Sequence, residues 1–243
     1  MARHPGAARA DGPVEPIYPT EDELGEESLQ RFVAELLRPL IAAYLHERGL
    51  LAFTGADQFV YYKRGDAFSR VAPDVFVLPG VRPGRRIKSW KVWETGIAPS
   101  LAIEIVSDDV DKDYLDGPPK YDSVGVQELI VFDPDYEQSP ERVLFQVFRR
   151  LPRRGLTRVE ATNADRVRSK VLGCHLRTVG VGEDLRLRLS TGPTGDELFP
   201  TPEEAARRER AGRLAAEAEV ERLRAALAKL GPSSTARRRT KRR

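Results

Sequence analysis

Two acidic residues stand inside apolar runs of this chain. Asp74 lies in Val71-Ala72-Pro73-Asp74-Val75-Phe76-Val77-Leu78, and Glu104 in Leu101-Ala102-Ile103-Glu104-Ile105-Val106-Ser107. Runs of this length and β-branched content read as buried strands. A carboxylate inside such a strand is costly unless it is paired, protonated or bound to a cation. Any fold of this chain must therefore supply each of them with a partner. Taken singly, either acid reads as a turn cap or half of an arginine pair. Two on consecutive apolar strands point instead to one shared cation.

The elements around this pair follow from hydrophobic spacing. Leu29, Phe32, Val33, Leu36, Leu37, Leu40, Ile41, Tyr44 and Leu45 recur at helical intervals, which predicts a helix over 26–48 that Pro39 kinks or splits. Strands are expected at 57–63, 71–78, 101–107 and 128–133, with further ones over 142–149, 156–160, 176–179 and 185–189. Residues 79–96 hold three glycines, two prolines and five basic residues and read as a loop or lid. In it Trp90 and Trp93 serve as anchors or as surfaces for base stacking, with packing the first reading. Residues 108–125 form a polar connection, where Pro118-Pro119 opens a short helix containing Lys120. Strand, connection and strand from Glu104 to Asp133 make neighbours in a mixed sheet. Thr201-Pro202-Glu203-Glu204 starts a charged helix reaching about Leu230. Its Val220, Leu223, Leu227 and Leu230 form a short coiled-coil seam, which makes a homodimer one expected assembly; a helix folded back on the body is the other. The expected organisation is a flexible arm over 1–24, one α/β domain over 25–200, the charged helix over 201–231 and a basic tail over 232–243.

Bulk composition narrows the class. The chain has 243 residues and 40% hydrophobic content, enough for one core, and no run reaches the ~20 apolar residues of a membrane span. The first ten residues have no apolar core, so the expected compartment is the cytoplasm and no membrane partner is expected. Cys174 is the only cysteine, which excludes an internal disulfide and a thiolate cluster; it reads as a small buried hydrophobe. The three histidines are scattered, and His46 falls near a helix end. Net charge is +3, but six positive charges lie in the last seven residues, so the remainder is net acidic by three. Such a tail suits a polyanion or is simply solvated.

Two carboxylates, a divalent cation and a lysine form the equipment of phosphodiester hydrolysis. The metal neutralises the phosphate and activates water, and Mg²⁺ needs only one or two protein carboxylates besides its waters. A lysine orients the attacking water or offsets developing charge. Asp74, Glu104 and the backbone carbonyl of Ile105 are the candidate ligands; Lys120, with Lys112 as its rival, is the candidate catalytic cation. The basic residues Arg82, Arg85, Arg86, Lys88 and Lys91 are candidate phosphate contacts.

Three segments also carry a resemblance: Pro73-Asp74-Val75; Ile103-Glu104-Ile105-Val106-Ser107; and Lys120-Tyr121 leading through Gly125-Val126 to Glu128-Leu129-Ile130-Val131-Phe132-Asp133-Pro134. Together they resemble the Uma-type family of restriction-endonuclease-like proteins within the PD-(D/E)XK nuclease superfamily. The resemblance spans about residues 25–200, and its last segment is the most specific. It implies a restriction-endonuclease-like core, with a central mixed β-sheet flanked by helices and the charged helix added at the C-terminal side. It implies Asp74 and Glu104 as ligands of Mg²⁺, with Mn²⁺ as a substitute. The superfamily lysine stands two positions after the glutamate, which here is Val106. Many Uma-type members instead place it four residues before the tyrosine, which here is Gly117. Glu35 is the candidate for an acidic residue that some superfamily members carry on the first helix.

The first expectation is a Mg²⁺-dependent DNA endonuclease. The alternative is an inactive nuclease fold that binds nucleic acid or serves assembly through its helical C-terminal segment. A coiled-coil protein with no nucleic-acid role is a third.

Overall fold

The computed structural model describes residues 21–107 and 109–229, with side chains from Val33 onward except that of Glu183. The greater part of the expected arm, the end of the seam at Leu230 and the basic tail lie outside the described residues. The order begins α1 (Glu21–Glu47), β1 (Ala52–Gly55), β2 (Phe59–Tyr61), β3 (Arg70–Val71), β4 (Val75–Pro79) and β5 (Ser89–Lys91). It continues with α2 (Val92–Thr95), β6 (Leu101–Ile105), a π-helical turn (Lys112–Asp116), α3 (Gly117–Val124), β7 (Glu128–Phe132), β8 (Phe145–Leu151) and β9 (Gly155–Thr162). Then come β10 (Arg166–Arg168), β11 (His175–Val179), β12 (Arg186–Thr191), β13 (Glu197–Leu198) and α4 (Pro202–Lys229).

A six-stranded sheet in the order β1-β4-β6-β7-β8-β9 forms the centre. β6 and β7 run parallel while their outer neighbours pair antiparallel, so the sheet is mixed. The parallel pair is the strand–connection–strand unit expected from residues 104–133. Side chains alternate between the two faces, as a period of two requires. Val75, Val77, Leu101, Ile103 and Ile105 pack on one face with α1 and with the four-stranded sheet β10-β11-β12-β13. Phe76, Leu78, Ala102, Leu129 and Val131 pack on the other with α3 and the three-stranded sheet β3-β2-β5.

Several expectations change in detail. α1 runs as one helix through Pro39. Pro39 removes a backbone donor, but Leu37, Leu40 and Ile41 beside it are fully buried. At ~1.5–3 kcal/mol per buried side chain, their burial outweighs the ~3 kcal/mol a helix-interior proline costs. Asp74 is not inside a strand: it immediately precedes β4, because Ala72 and Pro73 separate β3 from β4. The expected loop over 79–96 contains β5 and α2, and Trp90 is buried with its indole N–H donating to the Ile97 carbonyl at 2.8 Å.

α4 starts at a reciprocal capping box. The Glu204 amide donates to Thr201 Oγ1 at 3.2 Å, and the Thr201 amide donates to Glu204 Oε2 at 2.9 Å. Arg188 of β12 pairs with the same carboxylate at 2.7 Å, tying this end to the body. Beyond it no residue of α4 is buried. Val220, Leu223 and Leu227 are exposed, so within the chain the helix does not fold back on the body.

Candidate active site

Asp74 and Glu104 meet because of register and parity. β4 and β6 pair antiparallel with Val75 opposite Ile103, so the next position brings Asp74 opposite Glu104. Directly opposed residues have Cβ atoms ~4.5–5.5 Å apart. Both follow the parity of Phe76 and Ala102 and so face α3. Asp74 Oδ2 accepts the Ile105 amide at 2.6 Å, which fixes it against the end of β6. Tyr121 of α3 donates its hydroxyl to Glu104 Oε1. Pro118 and Pro119 open α3, and Gly125 closes it in the left-handed region at φ 92°, fixing the short helix that carries Tyr121.

A cleft of about 220 Å³ opens beside the pair. Its walls include Arg70, Asp74, Glu104, Ile105, Lys112, Asp113, Gly117, Lys120 and Tyr121. The expected ligands and both candidate lysines thus come together in one depression. Glu35 does not join them: it is exposed on α1, which packs on the opposite face of the sheet. Val106, the superfamily's lysine position, is buried in the apolar core behind the cleft, whereas Gly117 lines it.

Asp113 is a participant that pattern reading overlooked. It is buried, and its Oδ2 accepts both the Ser107 amide at 3.0 Å and the Ser107 hydroxyl at 3.1 Å. Its other oxygen lies 3.8 Å from Lys112 Nζ. It belongs to the π-helical turn, a distortion that often marks functional segments. Asp113 is one of five aspartates between Asp108 and Asp116, and nothing in the sequence sets it apart from the other four.

The electrostatics follow from crowding acid with acid. Burial above all pushes the Asp74 carboxyl up to about 6, with the charges of Asp57 and Asp113 adding and the Ile105 amide opposing. Glu104 is raised well above the ordinary carboxylate range, first by burial, then by the charges of Asp74 and Asp113, with Lys112 opposing. Acids held this way are an incomplete set: they ionise at neutral pH only at a cost, and a cation between them removes that cost. Two hard oxygen donors suit Mg²⁺ or Mn²⁺. Among the described residues no group of three acidic, histidine or cysteine side chains is arranged as a preassembled cage. The donor set therefore fits a metal that keeps most of its waters, and does not fit a closed structural site.

Two further residues have structural roles. Cys174 is buried and burial pushes its thiol up to about 11, so it is a packed hydrophobe. Asp133 caps the turn after β7 by accepting the Asp135 amide at 3.0 Å, and it also holds Arg142 through both oxygens. No described helix is long and apolar enough to cross a membrane.

No curated protein matches the chain. Among solved structures, one similar chain is "a putative nuclease belonging to DUF820" from Anabaena variabilis, 17% identical, covering 66% of this chain and 78% of its own, with a TM-score of 0.41. The family model described as "Uma2: Putative restriction endonuclease" matches residues 5–179. That span is most of the chain, and it holds both cleft carboxylates and the lysine–tyrosine helix: the protein belongs to the Uma2 family.

Proposed function

We propose that the protein is a Mg²⁺-dependent DNA endonuclease, with residues 25–200 as its nuclease domain. The observation that carries this reading is the opposition of Asp74 and Glu104 across β4 and β6, both raised in pKa and both facing a cleft that also holds lysines. A divalent ion bound there supplies charge neutralisation on the scissile phosphate and an acidified water. Asp74 and Glu104 are its ligands, and the Ile105 carbonyl is the candidate third. The Ile105 amide holds Asp74 in place, and the Tyr121 hydroxyl holds Glu104. Asp113 anchors Ser107 just past β6, which keeps the strand end from fraying into the cleft.

Lys120 orients the attacking water. Lys112 is the rival, but it is already engaged with Asp113, whereas Lys120 has no acidic partner among the described residues. Arg70 also lines the cleft and supplies positive charge at its edge for a phosphate.

The test is nicking of supercoiled plasmid with Mg²⁺ by wild type, Asp74→Asn and Glu104→Gln. Loss of even an outer partner of a metal ligand costs ~10–100-fold, so loss of a ligand itself is expected to cost at least about 100-fold. Equal nicking by all three proteins contradicts the assignment.

One observation favours a second reading, a noncatalytic nucleic-acid-binding or assembly module. Gly117 lines the cleft without a side chain where the Uma-type resemblance implies a lysine, and α4 presents an unburied seam suited to a homodimer. DNA binding without cleavage over a range of divalent ions would support it.

A further inference from the structure

The three-stranded sheet buries one face and leaves the other open. Val60, Val71 and Trp90 point into the core. On the open face, β3, β2 and β5 align Arg70, Tyr61 and Lys91 in one row, because Tyr61 pairs with Arg70 on one side and Lys91 on the other. Phe59 stands two residues from Tyr61 on the same face, with ring centroids 6.1 Å apart. The Arg70 guanidinium lies over the Phe59 ring at 4.2 Å. Trp93, just past β5, borders a shallow depression with Tyr61, Lys63 and Lys91.

Arg70 covers part of Phe59 and donates to the Tyr61 hydroxyl at 3.4 Å, but these contacts leave two large rings open to solvent. Phe59 is 42% exposed and Trp93 36% exposed, although rings of this size normally seek the core. Between Phe59 and Trp93 the chain carries eight lysines and arginines against two acids. Lys63 and Lys91 meet Asp66 and Glu94 at 3.9 and 3.1 Å, but exposed pairs of this kind are weak and open to exchange for phosphate. The patch is also continuous with the cleft, because Arg70 lines both.

We propose that this open sheet face is a docking platform for single-stranded DNA, with Tyr61 and Trp93 stacking on unpaired bases while Arg70, held over Phe59, and Lys63 and Lys91 follow the backbone. Rings accept base faces only where those faces are uncovered, and in a duplex they are not. The charge selects a polyanion over an apolar peptide. The platform deepens the nuclease reading and rests on it: the substrate strand passes from the platform across Arg70 into the cleft, so the favoured substrate is DNA with a flap, gap or open end.

The test measures binding of the full chain, in chelator so that nothing is cleaved, to three labelled probes of equal length: an oligothymidylate, the same backbone with abasic residues, and a duplex. The oligothymidylate is expected to bind about tenfold more tightly than the abasic strand, the low end of what stacked bases contribute. Trp93→Ala is expected to abolish that preference, and Trp93→Phe to keep most of it. Equal binding of thymidylate and abasic strands by wild type overturns the platform, with no variant needed. So does an unchanged preference in Trp93→Ala, or a duplex that binds as tightly as the thymidylate strand. Plasmid nicking by wild type and Glu104→Gln separates the two claims: base-dependent binding without Glu104-dependent cleavage refutes the nuclease and keeps the platform. Cleavage without base-dependent binding does the reverse.

Discussion

Glu128 and Asp133 flank the core of β7, one strand from Glu104, and both are buried more deeply than the cleft pair. Glu128 accepts Arg149 Nε at 3.0 Å, the Ser169 hydroxyl at 2.5 Å and the amides of Lys170 and Val171. Asp133 is gripped by Arg142 at 2.5 and 2.8 Å and receives the Tyr114 hydroxyl at 2.7 Å. Each carboxylate is matched with a guanidinium and several donors, so the sites are complete. Asp74 and Glu104 face each other and Asp113, with one amide and one phenol between them. Same residue chemistry, same sheet, opposite provision: burial alone does not set the cleft pair apart, but burial without a guanidinium partner does.

The largest expected effect comes from breaking a complete site. Asp133→Ala leaves Arg142 without its partner and should cost ~3–5 kcal/mol of stability in urea titrations. Cleavage per folded molecule should survive. An equal loss from Glu104→Gln would erase the distinction between the two regions.

The pH response comes next. The folded Asp74 carboxyl is raised from 3.8 to about 6, so the stability linked to its protonation is present below 3.8 and is lost as pH rises through about 6. That loss is on the order of 3 kcal/mol for a shift of this size. Thermal melts in chelator should therefore fall between pH 4 and 7. Asp74→Asn should flatten the profile, and Mg²⁺ should restore the wild-type melting temperature at neutral pH. A wild-type profile that rises over this range contradicts the crowding of acid with acid.

A smaller, more local effect distinguishes the lysines. Lys120→Met should lower the cleavage rate by roughly 10²–10³-fold with little change in metal affinity, and Lys112→Met should cost less. The reverse order transfers the role to Lys112.

The smallest effect belongs to α4. Truncation after residue 206 keeps the capping box and should change the stability of the body by under ~0.5 kcal/mol, as for surface changes. Sizing before and after truncation reads whether the Val220–Leu223–Leu227 seam makes a dimer.

The central strands β4, β6 and β7 were legible because they are short apolar runs, whereas the edge strand β1 was not expected. The pairing of Asp74 with Glu104 was legible for the same reason: an acid in an apolar frame stands out. What partners those acids have was not. Arg142 and Arg149 look like any half-exposed strand cation, and only the antiparallel pairing of β7 with β8 brings them to Asp133 and Glu128. Asp113 was hidden among neighbouring aspartates. Trp90 and Trp93 are three residues apart and look alike in sequence, but β5 turns Trp90 inward while α2 leaves Trp93 in solvent. The 79–96 segment read as loop because its glycines and prolines mask two very short elements.

The claim on which the rest depends is that Asp74 and Glu104 share one divalent ion. Calorimetric titration of Mn²⁺ near pH 6, in two buffers of different ionisation enthalpy, measures both affinity and protons released. The account predicts one ion per chain, about one proton or more released on binding, and loss of both signals in Asp74→Asn and Glu104→Gln. Binding that persists unchanged in both variants, or that releases no proton, contradicts it.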